Sequence, residues 1–174
     1  SLILQNPALL RPELNGQLAL SHNFFYGNIG ISNLQYAWHH EKSQTDFSAG
    51  MQYFNYGTID QNDYLGNNQG TFYAADYSIN LSASRQYRDR WRYGATLKGA
   101  HSMLGGVSGI AFLMDFGITY TDTTNKIIIG AVAKNLGVVA KKYNASNAAE
   151  PLPFDLQIGI SKQLENVPIR LFAV

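Results

Sequence analysis

The 174-residue chain contains no cysteine, so neither a disulfide framework nor a thiolate metal site holds it together. That absence is compatible with an oxidising envelope compartment and equally with the cytosol. Charge is scarce as well: Asp, Glu, Lys and Arg make up 14% of the residues, against roughly 25% in ordinary soluble domains. Neither sign dominates. The formal net charge is +1 and no basic cluster is there to bind nucleic acid, so no nucleic-acid partner is expected. Long apolar runs are missing too. The longest, Ile127 to Ala133, falls far short of the ~18 residues that a spanning helix needs. What the chain does have is rings and glycine: 11 Tyr, 9 Phe and 16 Gly, with a mean hydropathy of only −0.16. Low charge, many rings and middling hydropathy suit a surface that alternates apolar with small polar positions.

That alternation is visible along the chain. Leu34, Tyr36 and Trp38 alternate with Asn33, Gln35 and Ala37. The same period of two runs through Phe47–Tyr53, Tyr77–Ala83, Trp91–Leu97, Phe112–Tyr120 and Leu156–Ile160. Segments 17–26, 126–136 and 168–174 read as strands with a less regular pattern. About nine strands of roughly ten residues result, the length that crosses a bilayer at a tilt. The predicted fold is therefore all-β, an antiparallel up-and-down transmembrane β-barrel, seen as a segment of about nine strands. One domain spans 1–174, with 1–16 as an N-terminal turn or plug-like segment and 17–174 as strands. No initiator Met or signal peptide opens the chain, and Val174 stops inside an apolar alternation. The expectation is a longer exported protein, cut at both ends.

The connections predict an orientation. Glu41–Gln44, Tyr87–Asp89, Thr121–Asn125 and Leu164–Val167 are tight, whereas Thr58–Gly70 and Gly137–Pro151 are long and polar. Connections near Gly27 and Gly105–Gly109 are short. Outer-membrane barrels keep tight turns on the periplasmic side and longer loops outside. A soluble lipocalin-like barrel shows the same period with the faces exchanged. Two features favour the membrane form. The polar face is built mostly from Gly, Ser, Thr, Asn and Gln rather than the Lys and Glu of a water-facing surface, and Trp38, Phe47, Trp91, Tyr93 and Tyr120 gather where strands meet tight turns, like an interfacial girdle.

No catalytic, cofactor or metal constellation is expected. His39 and His40 are consecutive on a strand, point to opposite faces and abut a turn, so they read as solvated turn histidines. His22 and His101 have no partner at ligand spacing. Gly105-Gly106 reads as a loop, with no phosphate-binding or nucleophile-elbow pattern around it. Asp76, Asp115 and Asp155 share the inner face by parity, which could serve paired-carboxylate chemistry. Ion pairing is the plainer reading, because Lys98 and Lys134 face inward on intervening strands. A lumenal belt of alternating sign, Asp76, Lys98, Asp115, Lys134 and Asp155, is the expectation.

Several stretches resemble a known family. Asn6-Pro7-Ala8 is similar to the Asn-Pro-Ala motif early in FadL-type outer-membrane proteins, although Leu9 stands where those carry Gly. Gly70-Thr71-Phe72, Ala75-Asp76-Tyr77 and Ala133-Lys134-Asn135-Leu136-Gly137 resemble the PorV/PorQ group of the type IX secretion system. The run Glu150-Pro151-Leu152-Pro153-Phe154-Asp155-Leu156-Gln157-Ile158-Gly159 is similar to the PorQ branch of that group. The resemblance implies a FadL-like barrel of about fourteen strands. It also implies a non-enzymatic role in a cell-surface attachment complex of Bacteroidetes-type bacteria, anchoring a PorZ-like surface protein near a PorU-like sortase. The long loops are then the expected docking surface, with Asp60, Asn62, Tyr64, Asn67, Tyr143 and Asn147 as contact residues and the two tyrosines as anchors. The alternative on the same fold is a FadL-type transporter or binder of hydrophobic molecules. For it, Asn6-Pro7-Ala8 would be a plug that gates the ligand; the simpler reading is a turn packed under the first strand.

Overall fold

The computed structural model describes residues 2–142, 152–164 and 169–173. One turn of helix, α1 (Leu2–Gln5), and two 3-10 turns, Pro7–Leu9 and Pro12–Leu14, lead into the sheet. Its strands are β1 (Leu18–Phe24), β2 (Gly30–His40), β3 (Thr45–Asn62), β4 (Asn68–Tyr87), β5 (Trp91–Leu104), β6 (Val107–Asp122), β7 (Ile127–Lys141), β8 (Asp155–Gln163) and β9 (Arg170–Ala173). Each pairs antiparallel with the next, in chain order and without a crossover. The expected up-and-down, all-β chain of nine strands is what the structure has. No described helix is long and apolar enough to cross a membrane.

The residues that alternate in sequence are sorted onto opposite faces. Leu81 is 54% exposed, whereas its neighbour Ser82 is 3% exposed. The same inversion, apolar out and polar in, separates Leu34 from Gln35, Trp91 from Arg92, Met114 from Asp115 and Ile118 from Thr119. The N-terminal segment lies against the buried polar face. The Pro7–Leu9 turn packs on β4, β5 and β6, and the Pro12–Leu14 turn on β2. We call this the inner face. A lipocalin-like barrel would carry its apolar face there instead.

Apolar burial is correspondingly thin. Ile3, Leu10 and Ala37, with Leu14 against them, form the apolar cluster among the described residues. The rest of the inner face is joined by polar contacts between strands. Gln35 Nε2 donates to Ser48 Oγ (2.9 Å), Gln52 Nε2 to Asn33 Oδ1 (2.7 Å), and the Ser82 and Thr96 hydroxyls meet at 2.8 Å. Such cross-strand pairs contribute roughly 0.2–1 kcal/mol each. They fix register more than they drive collapse.

On the outer face the aromatic rings form two rows. At the tight-turn end Trp38 stacks on Phe47 with centroids 5.7 Å apart, and Trp91 lies 4.9 Å from Tyr120. Toward the opposite end, Tyr53, Tyr77 and His101 are register neighbours on β3, β4 and β5, with centroid separations of 4.9 Å and 6.3 Å. The sequence reading identifies the first row and misses the second.

One expected loop is corrected. Thr58–Gly70 is not a loop: β3 continues to Asn62 and β4 starts at Asn68, leaving a five-residue turn at 63–67. Asn and Gly content signals a turn but does not measure it, and here Thr58, Ile59 and Asp60 keep pairing with Tyr73, Phe72 and Thr71. Likewise β6 starts at Val107, so Gly105-Gly106 alone makes the turn there, and β7 continues to Lys141. Residues 143–151 of the expected loop Gly137–Pro151 and most of Leu164–Val167 lie outside the described residues.

Candidate functional site

Two regions concentrate specific chemistry: the seat of the N-terminal segment on the inner face, and the hairpin that β3 and β4 project.

The seat begins with Asn6. Its Oδ1 accepts the Ala8 N–H at 2.9 Å and caps the Pro7–Leu9 turn, whose first position Pro7 occupies with a suitable φ. Asn6 Nδ2 reaches the Ala131 carbonyl of β7 at 3.4 Å. Beneath the turn the inner face has no side chains, because Gly94 of β5 and Gly117 of β6 are register partners. A Cβ on Gly94 would stand 2.7 Å from the Pro7 carbonyl carbon, and one on Gly117 would stand 1.9 Å from Asn6 Oδ1. Pro7 and Ala8 are consequently buried. The reading of this motif as a turn under the first strand is thereby corrected. The glycine pair places it at mid-sheet, whereas β1 stays exposed along its whole length.

A clasp closes over the segment at the tight-turn end. Arg92 of β5 donates through Nη1 to the Leu10 carbonyl at 2.7 Å and pairs with Asp46 Oδ2 at 2.5 Å. The other carboxylate oxygen of Asp46 meets His39 Nδ1 at 2.6 Å. Asp46 is 2% exposed and His39 is largely covered, which corrects the reading of His39 as a solvated turn residue. His40, on the opposite face, does remain at the turn, against Ser43 Oγ. This trio is not among the residues expected from sequence. Its signal was present: Trp38, Phe47 and Trp91 face outward, so His39, Asp46 and Arg92 must face inward.

The expected belt of five charges is corrected to one ion pair. Lys98 Nζ stands 2.6 Å from Asp115 Oδ2. Asp76 lies opposite Ser102, four positions from the Asn80–Lys98 partnership, and accepts from Ser102 and from the Tyr56 hydroxyl instead. Lys134 and Asp155 are register partners, yet no ion pair joins them among the described residues; Asp155 accepts from Gln157 Nε2 at 2.5 Å. A bulge brings a second residue of β7 to Asp115, beside Lys134. Phe116 pairs with Ala133 and Met114 with Leu136, so Lys134 and Asn135 together face Asp115. Asn135, at φ +60, donates its N–H to Asp115 Oδ1 (2.9 Å) and accepts from Lys98 Nζ at Oδ1 (3.1 Å). Parity counting cannot foresee a bulge.

The hairpin holds four of the six expected contact residues. Asp60 and Asn62 lie in β3, and Tyr64 and Asn67 in the turn, where Tyr64 is 95% exposed. Tyr143 and Asn147 lie outside the described residues. Asp63 organises the tip by accepting the Leu65 and Asn67 N–H groups, both at 2.9 Å. The hydrogen bonds from Asn67, its backbone N–H foremost, hold the Asp63 carboxyl below the usual aspartate range. From Phe54 to Tyr73 the hairpin carries two acidic residues, Asp60 and Asp63, and no Lys or Arg.

Below the hairpin and beside the β5–β6 turn lies a cleft of about 940 Å³, which Thr71, Tyr73, Met103, Leu104 and Val107 help to line. A smaller apolar cavity, about 240 Å³, opens on the inner face between Asn6, Leu9, Ile128, Val132 and Phe172. In comparisons with known proteins, the chain matches no family model and no curated protein.

Proposed function

We propose that the chain forms part of an outer-membrane β-barrel of FadL-like type. In this reading it is a non-enzymatic component of the type IX secretion system, of the PorQ kind, that holds a surface protein at the cell exterior. The observation that carries the membrane reading is the inverted sheet. Side chains such as Leu81, Phe112 and Ile158 are exposed on one face while Ser82, Thr96 and Thr119 are buried on the other. Lipid is the solvent for which that arrangement is favourable. The spacing of the ring rows agrees. Tyr77 and Tyr87 both face outward on β4, and at about 3.4 Å per residue they are about 34 Å apart along the strand. A tilt of about 40° reduces that to about 26 Å of height, close to the ~25 Å apolar band of such barrels.

The tight turns then face the periplasm and the β3–β4 hairpin faces outward. A cysteine replacing Asn67 should react with an impermeant thiol reagent on whole cells, and one replacing Thr123 should not; labelling at position 123 alone would reverse the orientation. Docking rests on the family resemblance and on the projecting hairpin with its exposed Tyr64 and Leu65. A pull-down from outer membranes should recover one surface protein with the wild type and lose it when 60–68 is deleted. The cavity lined by Ile128 and Val132 favours a second reading, a FadL-type binder of hydrophobic molecules. Lipid co-purifying in place of protein would decide for it.

A further inference from the structure

We propose that the β4 edge of the projecting hairpin accepts an extended segment of the partner protein as an added strand, its side chains lying in the cleft beside it. This deepens the docking reading and rests on it.

The register defines where the edge is free. The β4–β5 ladder ends at Ala74, opposite Leu104, and the last backbone bond on that side runs from the Gly105 N–H to the Tyr73 carbonyl at 3.1 Å. On its other side β4 keeps pairing with β3 as far as Asn68. Residues 68–72 are therefore held by one neighbour only, with the other edge open among the described residues. The barrel wall offers no cover there, because β5 and β6 turn back at Gly105-Gly106, one step from the end of that ladder. An unpaired edge is a template for another strand.

The cleft runs along this edge. Thr71, Phe72 and Tyr73 line it from β4, and Met103, Leu104 and Val107 line it as an apolar wall beside the β5–β6 turn. Alternate side chains of an incoming strand would meet that apolar wall while its backbone met β4. The occupant is a polypeptide rather than a lipid chain, since only a backbone supplies donors and acceptors at the spacing of a strand edge. The acidic hairpin, with Asp60 and Asp63 and no cation from Phe54 to Tyr73, favours a neutral or basic segment. Edge length sets the scale: five residues at most, so affinity must be shared with contacts elsewhere, the exposed Tyr64 and Leu65 among them.

The test is photocrosslinking in the native bacterium with the full-length protein. Benzoylphenylalanine is placed singly at Gln69, Thr71, Tyr64 and Ile31, and crosslinked partner peptides are sequenced. Strand addition predicts that moving the probe from position 69 to 71 moves the crosslink by two residues along one segment of a single partner. Crosslinks from Tyr64 to a surface protein, with none or only scattered ones from 69 and 71, would overturn the strand while leaving docking intact. No protein crosslink from any hairpin position, Tyr64 included, would overturn both. Crosslinks from Ile31, which is paired on both sides in β2, report background.

Discussion

Replacing Arg92 with methionine should lower stability by about 3–5 kcal/mol, because the Asp46 carboxylate, 2% exposed, loses its guanidinium partner and keeps only the His39 ring. It also removes the donor to the Leu10 carbonyl. The measure is the temperature at which the folded, fast-migrating gel band is lost. The double variant Arg92→Met with Asp46→Asn should recover much of the loss, since the charge left behind is then absent. Lys98→Met provides the comparison. Asp115 is as buried as Asp46 and also keeps one partner, the Asn135 N–H at 2.9 Å, but Lys98 holds no N-terminal carbonyl, so about 1.5–3 kcal/mol is the expected cost. If the two single variants shift the transition equally, the clasp is no stronger than the isolated pair and its contact with the N-terminal segment is idle.

Gly117→Ala should displace the N-terminal segment from the sheet. The new methyl would stand 1.9 Å from Asn6 Oδ1, the atom that caps the Pro7–Leu9 turn, and 3.1 Å from the Pro7 ring. Overpacking of this kind costs about 1–3 kcal/mol, and Gly94→Ala, which meets backbone atoms of Pro7 and Ala8, should add to it. A cysteine replacing Ala8 reads the outcome directly. Ala8 is fully buried, so the thiol should be unreactive in the parent and reactive in the double glycine variant. Equal reactivity in both would show that the turn does not depend on its seat. Gly130→Ala is the control, because its nearest contact beyond the strand is 3.7 Å away.

Much of the sheet was legible because burial in strands repeats every second residue and this chain obeys the repeat for long stretches. Each of the nine described strands overlaps a segment read as a strand, six of them marked by clean alternation. Three kinds of feature were not legible. Strand ends were missed at Thr58–Gly70, since polar residues can pair as well as turn and no alternation marks an unburied ladder. The bulge at Asn135 was missed because one extra residue flips parity without any compositional sign. The seat of Asn6-Pro7-Ala8 was missed because it joins the N-terminal turn to Gly94 and Gly117, far along the chain, with no local pattern to announce the contact. By contrast His39, Asp46 and Arg92 could have been joined from parity alone. They were passed over because His39 was judged by its nearness to a turn and not by the face it occupies.

The position of the N-terminal segment constrains the order of folding. Its partner in the clasp, Arg92, lies 82 residues downstream of Leu10, and its seat needs β5 and β6 already side by side. Residues 6–10 must therefore wait, unplaced, until β6 has paired with β5. Hairpins such as β2–β3 can close early from local contacts, but docking of this segment is a late, long-range step. Variants of the seat should accordingly act mainly on how fast the native state comes apart and leave the rate of hairpin formation almost untouched.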